Sequence, residues 1–299
     1  MHKLLAWWQL LRVGNVFTAV SNVIAGFLIA QHGWQPMVPL LWLIASSAFL
    51  YEAGVVLNDA FDAKRDAVER PERPIPSGRI SRKIAFLVGS ALLVIGCITS
   101  IVAACSVDDL HPAAIAGLLA LCIVGYDAGL KSTFVGPWTM GMCRLLNVSL
   151  GAFATGDAQT PDTFVWFYAV LVGLYTVGLT YFARSENKQG WDWNQTIGGA
   201  MVLATTYCAC FWAGHIFVDQ SLTAAGVLIL FSFIWFDEEW IAEGKVTSSI
   251  LRRRVQRMIF AFILMDTLMA YATVGWQSAV VLLSLLIPTW IASRFAPMT

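Results

Sequence analysis

Residues 58–83 read NDAFDAKRDAVERPERPIPSGRISRK, a dense run of charge and proline set between two apolar stretches, 38–57 and 84–105. Each flanking stretch is about 20 residues long, the length of helix that crosses roughly 30 Å of hydrocarbon. Similar runs recur at 13–32, 112–130, 137–155, 163–183, 194–217, 219–236, 253–273 and 276–293. The chain of 299 residues is 58% hydrophobic and only 13% charged, about half the charge of a soluble domain, with a mean hydropathy of +0.68. These features predict an all-α, polytopic transmembrane bundle of nine or ten helices, the short eighth run leaving the count open, folded as one membrane domain over 1–299. The start, MHKLLAWWQLLRVGN, lacks the small-residue cleavage site of a signal peptide and is expected to lie along the interface, with Trp7 and Trp8 at headgroup depth.

Basic residues are sorted by side. With a cytoplasmic N-terminus, the even-numbered loops also face the cytoplasm and hold Lys64 to Lys83, Lys131, Arg184, Lys188 and Lys245 to Arg257. The opposite loops, around QHGWQP, SVDDLHP, TGDAQTPD, HIFVDQ and TVGWQ, contain no Lys or Arg. That asymmetry predicts the orientation, and a bacterial inner membrane is the expected location. No basic patch with interleaved aromatics suggests nucleic acid as a partner. The six cysteines all fall within the apolar runs and read as small packing residues.

Within the opening stretch, Asn58, Asp62 and Asp66 recur every four residues and so share one helix face, with Asp59 on the flank. Like charges at this spacing repel, so the face calls for a cation. Mg2+ fits, because it binds through one or two carboxylates and completes its shell with water and phosphate oxygens. Arg70, Arg73, Arg79 and Arg82 add guanidinium forks suited to phosphate. Pro71, Pro74 and Pro76 end the helix and stiffen the loop that carries them.

The run NDAFDAKRD matches the NDxxDxxxD signature of the UbiA superfamily of intramembrane prenyltransferases. RPERPIPSGRIS resembles its continuation in the chlorophyll synthase and archaeal lipid branches. LRVGNVFTAVSNVIAGFLIA is similar to the family's first helix, and Tyr126 with Lys131 in YDAGLK resembles its element after the fourth. TYFARSE and the ending IASRFAPMT look most like the UbiA-like EboC proteins. The resemblance implies Mg2+-dependent transfer of a prenyl group from an isoprenyl diphosphate to a hydrophobic or aromatic acceptor, with membrane lipid around the prenyl tail. Carried over residue by residue, it puts Asn58, Asp62 and Asp66 on the metal with Asp59 in support. Lys131 and Arg144 would then contact diphosphate oxygens, while Asn15, Arg73, Arg79, Tyr126, Asn147 and Arg184 bind substrate.

The family's second motif is DxxxD, and here the corresponding stretch reads YFARSENKQGWDWNQ. Only Glu186 stands where a leading carboxylate is expected, as metal ligand and catalytic residue; Gly190 takes the second place and Asp192 is out of register by two. The alternative this permits is a protein of the same fold that binds or carries a hydrophobic metabolite without transferring it. Asp266 lies mid-span, where a carboxylate is costly and normally paired, and the sequence does not name its partner. The acidic run FDEEW and the arginines at 252–257 read as a solvated cytoplasmic loop.

Overall fold

The computed structural model describes residues 2–154, 163–185, 192–217, 220–235 and 247–294. These residues form helices α1 (His2–Leu11), α2 (Val13–Gln31), α3 (Met37–Glu69), α4 (Arg82–Val107), α5 (His111–Ala128), α6 (Gly136–Ala152), α7 (Thr163–Ala183), α8 (Trp193–Phe217), α9 (Gln220–Trp235), α10 (Ser248–Val274), α11 (Trp276–Ser284) and α12 (Leu286–Ser293), with one 3-10 turn at Leu130–Ser132. No strand occurs among the described residues. In hydrocarbon each backbone N–H and C=O must be satisfied within its own segment, which a helix achieves. Every apolar run read from the sequence falls on a helix, the last being shared by α11 and α12. Among the described residues eight spans are long and apolar enough to cross a membrane; α6, at 17 residues, and α9, at 16, are shorter. The protein is an all-α, multi-pass membrane bundle.

Helix α3 positions the site. Its 33 residues rise about 50 Å, well beyond the hydrocarbon thickness, so the NDAFDAKRDAVE end projects past the apolar slab. The helix stops at Arg70, whose N–H still reaches the Asp66 carbonyl (2.8 Å), because Pro71 follows and supplies no donor. The loop then folds on itself through bonds from Ser77 to the Arg73 carbonyl and from Ile80 to that of Pro74, both 3.0 Å. Ser81 caps α4 by accepting from the Ile84 N–H. Ile75 and Ile80 are buried with Ala6, Leu10, Val56, Ala60 and Ala85 in a small cluster of their own, which pins the loop to α1, α3 and α4.

Helix α2 runs through the middle of the bundle, with residues from Gly14 to Ile29 largely buried. Its separation from α1 falls at Arg12, held in the left-handed region (φ 44°, ψ 46°), a conformation costing about 1–3 kcal/mol for a side chain of this kind. Lower down, α2 meets α6 at Gly26 and Gly151. A methyl group at either would overlap the carbonyl of Val148 or of Val23, so only glycine permits this close backbone approach, in the manner of small-residue packing in membranes. By contrast α4 presents Leu87, Val94, Ile98 and Ile101 outward, each at least half exposed, as a lipid-facing helix should.

Candidate active site

The polar end of the bundle opens into a cavity of about 760 Å³ between α2, α3, α5, α6, α7 and α10. Asn58, Asp62 and Asp66 line it from α3, spaced as the helical face requires, and Arg73 lines it from the loop. Tyr126 and Lys131 face them from α5 and the turn behind it, and Arg184 from the end of α7; Asn15, Arg144 and Asn147 complete the inner wall. Ten of the residues read from the sequence as site residues thus share one space, and Asp62, Lys131 and Arg184 stand at the same end of the bundle.

The two α3 carboxylates at the mouth, Asp62 and Asp66, are already matched by cations. The Lys131 Nζ is 2.8 Å from Asp62 Oδ1 and donates to Asn58 Oδ1 at 2.9 Å. Arg73 bridges Asp66 (2.8 Å) and Asp59 (3.4 Å). Asp59 does not line the cavity: it is 4% exposed and takes a 2.7 Å ion pair from Arg12, which accounts for the left-handed turn there. The flank position of Asp59 on the helix therefore serves the α1–α2 junction. Arg79 also stands away from the cavity, donating to Gln9 Oε1, Ser77 Oγ and the Glu72 carbonyl, so it ties the loop to α1. Arg184 donates to the carbonyls of Lys131 (2.9 Å) and Thr133 (3.0 Å), and a Cβ at Gly136 would come within 2.8 Å of its guanidinium. Glycine at 136 leaves room for Arg184 to hold the turn that carries Lys131. Glu186 lies outside the described residues.

Arg144 sits deeper. Its guanidinium donates to Asn22 Oδ1 and Thr18 Oγ1, both at 2.9 Å, and lies over the rings of Phe262 (4.6 Å) and Tyr51 (5.2 Å). Tyr51 precedes Asn58 by seven residues of helix, about 10 Å, so Arg144 and Lys131 occupy different depths of the cavity. Asn147 is deeper again, accepting from Ser47 (2.7 Å) and donating to the Ala19 carbonyl (2.8 Å).

The sequence reading missed Asp127. It lines the same cavity, is 4% exposed, and its Oδ2 has no hydrogen-bond partner among the described residues. A carboxylate one position from Tyr126 at the end of an apolar run was a signal in its own right. Asp62 and Asp66 with the Asn58 amide oxygen form a donor set that suits Mg2+. Among the described residues no three His, Cys, Asp or Glu side chains gather into a complete cage, so a cation here would take its remaining ligands from phosphate or water.

Residues 19–236 match the model of the UbiA prenyltransferase family. The chain belongs to this family. The digeranylgeranylglyceryl phosphate synthase of Saccharolobus solfataricus is 30% identical over 207 residues, covering 68% of this chain and 69% of that one. The synthase of the same name from Methanobrevibacter smithii is 34% identical over 134 residues, 44% and 46% of the two chains; the match thus spans about half the length of some of these relatives. Among solved structures, a digeranylgeranylglyceryl phosphate synthase superposes with a TM-score of 0.63 at 18% identity, covering 92% of this chain and all of that one. A UbiA homologue from Aeropyrum pernix K1 does so with a TM-score of 0.50 at 16% identity, covering 93% and 96%. The fold is that of the UbiA family, and the protein is a UbiA-type prenyltransferase.

Proposed function

We propose that this prenyltransferase moves a prenyl group from an isoprenyl diphosphate to a lipophilic acceptor, with Mg2+, at the cytoplasmic end of the bundle. The single observation that carries the reading is the pairing of Asp62 and Asn58 with Lys131 inside one cavity, because it puts two metal-suited oxygens and a phosphate-suited cation at one spot. Asp62, Asp66 and Asn58 hold the metal, and Lys131 and Arg73 hold the diphosphate. Arg184 acts through the turn it fixes. Glu186, two residues after Arg184 in the sequence, is assigned as a further metal ligand on its place in the family's second motif.

Reaction breaks the allylic C–O bond, and the electron pair leaves on the diphosphate. Bound Mg2+ supplies neutralisation of the charge that develops there. Lys131, 15% exposed, adds a fixed cation in a water-poor setting, where it acts more strongly than in bulk water. The acceptor forms the new bond to the prenyl carbon and loses a proton, and Asp127 is the free carboxylate placed to take it. The difference in depth between Lys131 and Arg144 supports separate roles. The diphosphate sits at the mouth, and Arg144 with Asn15 and Asn147 receives the acceptor's polar head further in. The named product of the relatives carries two geranylgeranyl chains on glyceryl phosphate, so a glyceryl phosphate with one such chain is the acceptor class assigned to this reading.

The test is binding of geranylgeranyl diphosphate to purified protein across a Mg2+ titration, for wild type, Asp62→Asn and Asp66→Asn. Both variants should keep their fold and bind at least tenfold more weakly at low Mg2+. Unchanged affinity and unchanged Mg2+ dependence in both would remove the site from α3.

A further inference from the structure

A buried polar chain runs behind Arg144 and links four helices. Asp266, in the middle of α10, is 0% exposed. Its Oδ1 accepts from Tyr168 at 2.6 Å, and its Oδ2 accepts from Ser21 at 2.6 Å and from the Asn22 side-chain amide at 2.8 Å. The other end of that amide, Asn22 Oδ1, accepts from Arg144 at 2.9 Å. An ionised carboxylate only accepts and a guanidinium only donates, so the two ends of Asn22 have one arrangement that satisfies both neighbours. Asp266 thereby fixes the direction of the amide.

A direct ion pair between Asp266 and Arg144 would draw the guanidinium into the helix packing and away from the cavity. Interposing a neutral amide balances the buried charge at a distance and leaves Arg144 on the cavity wall. Of its five N–H groups, one is taken by Asn22 and one by Thr18; the other three have no protein partner among the described residues. Thr18 is itself tied back to the Asn15 carbonyl at 2.7 Å, so the cradle is fixed on both sides.

We propose that Asn22 and Asp266 are positioning residues that set Arg144 against the cavity with donors free for an anionic acceptor head. The inference rests on the reading of Arg144 as the group that receives that head. The probe is geranylgeranylglyceryl phosphate, with its Kd measured on purified full-length protein in detergent. Arg144→Gln should weaken binding at least tenfold. Asn22→Leu, similar in shape but without the amide, should do the same, and the double variant should be no weaker than either single one. Tyr168→Phe removes a bond to the other carboxylate oxygen and should lower the thermal midpoint while leaving Kd within twofold, whereas a merely structural network would move Kd in Tyr168→Phe and Asn22→Leu alike. Should Asn22→Leu not fold, the paired exchange Asn22→Asp with Asp266→Asn keeps size and net charge but sets a carboxylate directly on Arg144, and should weaken binding at least tenfold. Binding within threefold of wild type in that exchange, or wild-type affinity in Asn22→Leu while Arg144→Gln is weakened, overturns the positioning role. Absence of probe binding by wild type, or no effect of Arg144→Gln, overturns the reading of Arg144 instead.

Discussion

Replacing Lys131 with Met keeps the length of the side chain and removes its charge. In the structure that charge lies 2.8 Å from Asp62 and 2.9 Å from Asn58, at 15% exposure, so it stands where a diphosphate bound through the same carboxylate would place its oxygens. A unit charge about 4 Å from another, at an effective dielectric near 20, is worth about 4 kcal/mol, or about a thousandfold in rate at 1.36 kcal/mol per tenfold. Losing Lys131 also releases Asp62 from its ion pair, which makes the carboxylate more available to a cation and offsets part of the loss. The net expectation is a fall in kcat/KM of about 10²- to 10³-fold, with a Mg2+ requirement no higher than in wild type. Steady-state diphosphate release from geranylgeranyl diphosphate, measured across a Mg2+ titration, reads both quantities. A fall of less than about threefold would refute the placement of the diphosphate at Lys131.

Other perturbations separate structural roles from chemical ones. Asp59→Asn should destabilise the protein by about 1–3 kcal/mol, the usual cost of an unsatisfied buried partner, because Arg12 loses its ion pair; thermal melting should show it, and the Mg2+ requirement for turnover should stay the same. Gly151→Val should separate α2 from α6, since even a methyl group there meets the Val23 carbonyl; the expected loss is at least the 1–3 kcal/mol typical of overpacking, with weaker binding of any acceptor held at Arg144. Single cysteines at Glu72 and Thr133 should react with a membrane-impermeant maleimide from the cytoplasmic face, and one at Leu110 from the opposite face, as the one-sided Lys and Arg distribution requires. Labelling of 72 and 133 from different faces would contradict that topology.

The helices were legible because a membrane leaves so few options: a run of about 20 apolar residues has to be a helix, and the ten runs fall on helices within a few residues. The ladder on α3 was legible for a similar reason, since a four-residue spacing fixes a face whatever surrounds it. What lay on the flank was harder to see. Asp59 and Arg79 carry the same charges as their neighbours, and only the packing of α1 and of the loop shows that one secures Arg12 and the other Gln9. The partners of Asp266 come from α2 and α7, 245 and 98 residues away for Ser21 and Tyr168, and no local pattern announces contacts of that range. Asp127 was within reach, as a carboxylate beside Tyr126, but helical spacing alone does not tell a cavity wall from a packed one. The RPERPIPSGRIS run resembled both the chlorophyll synthase and the archaeal lipid branches of the family, and local sequence did not choose between them; the relatives reported above are named digeranylgeranylglyceryl phosphate synthases.

Group transfer is read from the fate of the prenyl carbon itself. Purified protein is given geranylgeranyl diphosphate labelled at C1, geranylgeranylglyceryl phosphate and Mg2+, and label is followed into the glyceryl phosphate lipid. The expected result is Mg2+-dependent formation of a product carrying both chains, with one diphosphate released per product. Tight binding of both substrates, with label remaining on the diphosphate at every Mg2+ concentration, would contradict it and leave a protein that holds prenyl compounds without transferring them.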